Sequence, residues 1–205
     1  GCAQDTWSWD GASWLLHSQT ASAPTARSQT QLVSDGLTKR LKLFGGKCGT
    51  TSFNDVWDIG VFVVARFANY GNGCPPLSGI LPTLNKAPGT SSRSGDTLGI
   101  RLANLPAVLT IALPFFGYNR SSWNGLPLPL DLTVFGMPGC TLWAELLSSG
   151  VVVAFTGSAD WLLPIPTDPF LLGTSLYFQA VVLDAQAGNA QGAVMTNAAR
   201  VVIGN

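Results

Sequence analysis

Polar and aromatic residues alternate along Asp5-Thr-Trp-Ser-Trp-Asp-Gly-Ala-Ser-Trp14, where Thr6 and Ser8 separate Trp7 from Trp9. A strand with this spacing sets both indoles on one face. Asp10-Gly11 readily takes positive φ and puts Trp14 on a returning strand, so the pattern predicts a β-hairpin with rings on one side. Gln31-Leu-Val-Ser-Asp35 and Arg40-Leu-Lys-Leu-Phe-Gly-Gly46 continue a rhythm of short strands and turns. Val61-Phe-Val-Val-Ala-Arg-Phe67 is apolar enough to predict a buried strand. Nothing in this half sustains the 3.6-residue period of an amphipathic helix.

Near residue 70 the character changes. Asn69-Tyr-Gly-Asn-Gly-Cys-Pro-Pro76 reads as a rigid joint, and seven predicted strands follow. They lie within Leu98–Leu105, Val108–Tyr118, Thr141–Leu146, Val151–Phe155, Ala159–Pro166, Ser175–Asp184 and Thr196–Ile203. Their spacing suits an antiparallel sandwich. Pro127, Pro129, Pro138, Pro164, Pro166 and Pro169 cannot donate to a ladder and are expected at edges and strand ends.

A degraded copy of the Trp hairpin returns fifty residues on as Asn54-Asp-Val-Trp-Asp-Ile-Gly60. Between the copies run Pro24-Thr-Ala-Arg27, a strand, an Asp turn, a second strand and Gly45-Gly46. That order resembles the Kelch repeat of β-propellers over roughly residues 1 to 62, with Gln29 to Gln31 where many repeats carry His. The resemblance implies one blade and the outer half of another, too few to close a propeller. Further strands are then expected from upstream residues or from a neighbouring molecule. In Kelch blades Trp7, Trp9 and Trp57 would pack between sheets.

Residues 68 to 205 carry a second set of motifs. They are Tyr70-Gly-x-Gly-Cys-Pro, Leu126-Pro-Leu-Pro-Leu-Asp-Leu, Gly136-Met-Pro-Gly-Cys-Thr-Leu, Ile165-Pro-x-Asp-Pro-x-Leu-x-Gly, Tyr177-x-Gln-Ala and the closing Ile203-Gly204. Together they resemble a C-terminal module of secreted multi-domain proteins from environmental bacteria. That resemblance implies a Cys74–Cys140 disulfide and no established activity. Cys2 and Cys48 then remain, in equivalent loops of successive repeats, and a bridge between them would pin one hairpin to the next. The alternative partner for Cys2 is another subunit.

Hydrophobic residues make up 46% of the 205-residue chain and charged residues only 11%. A surface so poor in charge must rely on small polar residues or be covered by partners or sugars. The formal net charge is zero, without runs of either sign, which argues against nucleic acid and anionic membrane surfaces as partners. No apolar run is long enough to insert in a membrane as a helix. The first twenty residues lack the basic start and apolar middle of a signal peptide, so the sequence reads as a mature or cleaved chain. Four Cys without a Cys-x-x-Cys pair, beside a single His, point to disulfides rather than zinc, and to an extracellular protein.

Catalytic signatures are sparse. His17 has no identifiable nucleophile or orienting acid and reads as a polar residue ending the Trp hairpin. Glu145 is the only Glu, and half of the ten Asp sit beside Gly, Asn or Pro as turn residues. Trp123, within Arg120-Ser-Ser-Trp-Asn-Gly125, is either an exposed sugar-stacking ring or a cap over the sandwich end. Asn119-Arg-Ser121 is a glycosylation acceptor sequence in a predicted loop, and the Ser/Thr clusters at 18–28 and 90–94 are candidates for O-linked sugar.

The expected protein is all-β, with a Kelch-like antiparallel sheet over residues 1–67 and an immunoglobulin-like or jelly-roll sandwich over 68–205. It is expected to be secreted and non-catalytic, without cofactor or metal, and to polymerise with itself by β-strand complementation. Trp7, Trp9 and Trp14 would anchor the donor segment, and Val61 and Val63 would lie in the acceptor strand. Carbohydrate is the other expected partner. The alternatives are a fragment of a larger secreted propeller protein and a carbohydrate-binding module.

Overall fold

A computed structural model describes residues 1–9, 14–17, 23–35, 40–60 and 63–205. Two units share them, Gly1–Val64 with Asn205, and Ala65–Gly204. Both are built from antiparallel β-structure, and two 3-10 turns at Thr133–Phe135 and Pro169–Leu171 are the only helical elements among the described residues.

In the N-terminal unit, β1 (Thr6–Trp9) and β2 (Trp14–His17) form the predicted hairpin, with Trp7 opposite Leu16 and Trp9 opposite Trp14. Asp10-Gly11 lies outside the described residues. Next come β3 (Gln31–Ser34), β4 (Leu41–Phe44), β5 (Lys47–Cys48), β6 (Thr51–Ser52) and β7 (Val56–Asp58). Strands β3, β4 and β7 make one sheet in that order, while β5 and β6 pair with each other. Gly45 and Gly46 turn the chain between β4 and β5 with φ of 54° and 102°. A Cβ on Gly46 would meet the Ser28 carbonyl at 2.9 Å, so a side chain has neither conformation nor space there. Cys2 and Cys48 are disulfide-bonded, Cα atoms 5.7 Å apart.

The larger unit is a sandwich. Its strands are β8 (Arg66–Tyr70), β9 (Thr83–Lys86), β10 (Thr97–Ala103), β11 (Thr110–Gly117), β12 (Ser122–Trp123), β13 (Leu126–Pro127), β14 (Leu130–Asp131), β15 (Thr141–Leu142), β16 (Ser148–Ser149), β17 (Val152–Ala154), β18 (Ser158–Pro164), β19 (Ser175–Leu183), β20 (Ala193–Met195) and β21 (Ala198–Val202). One sheet runs β16–β11–β19–β21–β8, with β17 beside β11 and β20 beside β19; the other runs β18–β10–β9. Leu84, Leu98, Ile100 and Leu102 of the smaller sheet join Phe115, Phe178, Val182 and Val201 of the larger in one fully buried cluster. Cys74 and Cys140 belong to that cluster and are bonded, Cα atoms 4.8 Å apart.

Polar side chains complete the packing. Gln179, wholly buried, accepts from the Trp143 N–H at 2.8 Å and donates to the Thr141 and Thr196 carbonyls, both at 2.9 Å. Asn197 accepts the Leu84 N–H and donates to the Leu84 carbonyl, so one amide replaces a stretch of backbone ladder between β9 and the segment entering β21. With partners in place, such groups cost little to bury.

Several expectations need correction. The apolar run Val61–Phe67 is not one strand: Val61 lies outside the described residues, Val63 to Ala65 are irregular, and the strand is Arg66–Tyr70. Its ladder to β21 fixes that register, with Phe67 opposite Val201 and packed against the core. The compact N-terminal unit runs to Val64, and Ala65 begins the larger one. Only Thr141–Leu142 of the predicted Thr141–Leu146 strand is extended, because Leu146 and Leu147 turn outward. Beyond the two-residue strands, which are too short to carry a pattern, β9 and β20 are additions to the expected set. The described residues form no propeller.

Candidate interaction site

Arg27 is the only buried residue among those of residues 1–64 whose side chains are described. Its guanidinium donates through Nη1 to Asp55 Oδ1 at 2.5 Å and through Nη2 to Asp55 Oδ2 at 3.0 Å. Nε donates to the Thr25 carbonyl at 2.9 Å, Nη1 also reaches the Gly45 carbonyl at 3.0 Å, and the cation lies 4.1 Å over the Phe53 ring centroid. A planar fork bonded along two sides and stacked on an aromatic face uses what Arg has and Lys lacks. The Arg27 N–H donates to the Ala3 carbonyl, which ties the start of the chain to the clamp.

The clamp continues into Trp57. Its indole N–H donates to Asp55 Oδ2 at 2.6 Å. Bonding from Arg27, then from Trp57, holds the Asp55 carboxyl down at about 2. Fifty residues upstream the same contact recurs, with the Trp7 indole donating to Asp5 Oδ2 at 2.6 Å and lowering that carboxyl too. Asp5 lies just before β1 as Asp55 lies just before β7, and no cation accompanies it among the described residues. Ala3 stands where the second copy has Phe53.

Apolar side chains around these pairs face outward. Trp7 is 49% exposed, Trp14 65%, Leu16 51% and Val56 58%. In β3 the successive residues Leu32 and Val33 are 56% and 50% exposed, so neither face of that strand is covered. Trp7, which the Kelch resemblance implies is packed between sheets, is half-exposed in this chain. The side chains of Trp9 and His17 lie outside the described residues. Val63 exchanges backbone and side-chain hydrogen bonds with Asn205, at 3.0 and 2.8 Å, and is no part of a strand.

Elsewhere the singled-out residues serve the scaffold. Trp123 is half-buried against the core, which fits a cap and not a stacking platform. Asn119 accepts the Ser121 N–H and donates its amide to Ser122 Oγ at 2.9 Å, so its acceptor nitrogen is engaged inside a turn. Glu145 accepts the N–H groups of Tyr118 and Asn119. Asp131, Asp168 and Asp184 each accept the N–H two residues on, and Asp160 pairs with Arg101 across β10 and β18 at 2.7 Å. No group of three or more metal-ligating side chains occurs among the described residues.

The motifs of the second resemblance have structural explanations of the same kind. Tyr70 donates to the Trp143 carbonyl at 3.0 Å and meets the rings of Trp143 and Tyr177 edge-on. Gly71, at φ 64°, lies directly under the Trp143 ring, and Gly73 lies against the Met195 carbonyl. Asp168 caps the 3-10 turn that follows it.

Compared with known proteins, the chain matches no family model, no curated protein and no solved structure. Arg27 and Asp55 carry no local mark of a pair, being 28 residues apart. Their signal is the repeat order itself, which places one charge on each side of the Gly45-Gly46 turn.

Proposed function

We propose that this is a non-catalytic extracellular structural protein whose N-terminal unit joins copies head to tail by β-strand complementation. The observation that carries the reading is that, among the residues of 1–64 whose side chains are described, no apolar one is buried, and the one buried residue is a charged Arg27. Each large apolar side chain contributes about 1.5–3 kcal/mol when fully buried, so Trp7, Trp14, Leu16, Leu32, Val33 and Val56 together favour a covered state strongly. Strand β3 also ends its three-stranded sheet, and an edge without a partner among the described residues is a template for further pairing. In the sandwich, β8 ends its sheet and overlaps the expected acceptor segment, offering an edge for strand addition. Two disulfides fit an oxidising, extracellular setting. A contact between different surfaces of successive copies propagates as a filament unless it closes into a ring.

The recurrence of the Asp–Trp contact at Asp5 and Asp55 favours a second reading, in which these strands belong to a larger Kelch-type propeller. Negative-stain electron microscopy of the unaltered protein separates the two. Beside it stand a Trp7→Ser/Trp14→Ser variant and a variant lacking residues 1–16 with Cys48→Ser. Filaments that both variants lose support strand donation; uniform small particles from the unaltered protein overturn it in favour of the propeller.

A further inference from the structure

We propose that Asp5 and Trp7 form the receptor half of a second arginine clamp, which takes the guanidinium of an arginine carried by another β-blade. This deepens the second reading above, in which these strands belong to a larger Kelch-type propeller, and rests on that reading. The argument is internal duplication. In both copies the indole N–H bonds Oδ2 of the Asp two residues earlier, at 2.6 Å. In the second copy the remaining acceptor capacity of the carboxylate is filled by Nη1 and Nη2 of Arg27. In the first copy Asp5 is exposed and Trp7 is its only side-chain partner among the described residues.

A second copy of this chain does not supply that arginine from the equivalent position. Arg27 is 7% exposed and already committed to Thr25, Gly45 and Asp55. The arginine that fits comes from a segment of Pro-x-x-Arg type on a separate blade, as Pro24-Thr-Ala-Arg27 does for Asp55. With Ala3 in the place of Phe53, the socket offers no aromatic floor, so the partner is held from this side by the bidentate carboxylate.

The test is a proton–nitrogen correlation spectrum of the full chain, in which Trp7→Phe assigns the Trp7 indole N–H. A peptide Pro-Thr-Ala-Arg-Ser-Gln-Thr is titrated to millimolar concentration, beside the same peptide with Gln in place of Arg. The expected result is a saturable shift of the Trp7 indole with the arginine peptide alone, while the Trp57 indole stays still because its Asp is filled. Asp5→Asn should weaken that binding about tenfold or more. Equal responses to both peptides, in a sample whose Trp57 signal reports a folded unit, overturn the proposal. A Trp7 shift that grows with protein concentration alone puts a second copy in the socket and overturns the assignment to a separate blade. A protein that forms no filaments but shows the peptide shift keeps the socket and loses the homopolymer.

Discussion

Arg27 and Asp55, 28 residues apart, join through two hydrogen bonds, and the Arg27 end of the pair is buried in the N-terminal unit, where a small domain ordinarily places apolar side chains. Polar bonding is directional, so its strength depends on every bond being made. Apolar packing tolerates adjustment.

Replacing Arg27 should therefore damage the N-terminal unit more than any single apolar substitution in it. Arg27→Ala is expected to cost about 2–3 kcal/mol, since it strips a buried group with four bonds and a ring contact. Lys should rescue little because it cannot form the fork. Hydrogen exchange of residues 41–58 reads the loss, with sandwich amides such as those of β19 unchanged.

Acid should loosen the same unit. The Asp55 carboxyl is held at about 2, against a usual 3.8, first by its bonds to Arg27 and then by Trp57. A carboxyl depressed on folding stabilises the native state above its unfolded pKa, and that contribution falls away as pH drops through the folded value. The loss should occupy the window from pH 4 to about 2, and Asp55→Asn should remove that pH dependence while lowering stability at neutral pH. Tryptophan fluorescence followed during acid titration checks both.

In the sandwich, Gly71→Ala should destabilise by about 2 kcal/mol or more. The residue sits at φ 64°, and an added Cβ would lie 2.5 Å from the Trp143 ring. Thermal unfolding of the variant measures it. Tyr70, whose hydroxyl burial pushes up to about 12, gives the alkaline counterpart. A raised folded pKa stabilises below 10 and is lost as pH rises towards 12, so Tyr70→Phe should flatten the alkaline limb of the stability profile.

Each disulfide closes a long loop, 46 residues for Cys2–Cys48 and 66 for Cys74–Cys140. Loop closure of this size corresponds to about 4 kcal/mol each in the chain-entropy account. Peptide mapping without reductant should recover these two pairs. Cys74→Ala/Cys140→Ala should lower the melting temperature of the sandwich, and Cys2→Ala/Cys48→Ala should chiefly raise proteolytic cleavage within residues 1–64.

Much of the strand content was written locally. The Trp7 hairpin and the strands at Thr97–Ala103, Thr110–Gly117, Ser158–Pro164 and Ser175–Leu183 follow from alternation and turn residues, because a half-buried strand must repeat every two residues. The all-β class follows from the same pattern. Val61–Phe67 misleads because an apolar run has no phase: only the ladder of Arg66–Tyr70 to β21 decides where the strand begins. The split of β16 and β17 along one side of β11 is likewise a matter of pairing, not of local pattern.

By itself, then, the sequence determined the β class, the fifty-residue repeat and the supply of four cysteines. Period-2 patterning and turn chemistry act over a few residues, and the chain carries them wherever it goes. Tertiary structure decided which cysteines meet, that Arg27 is buried in the N-terminal unit, and that Trp7 stays half-exposed. Those outcomes depend on which distant segments meet: Asp55 acquires the arginine, while Asp5, with the same neighbouring indole, has none among the described residues.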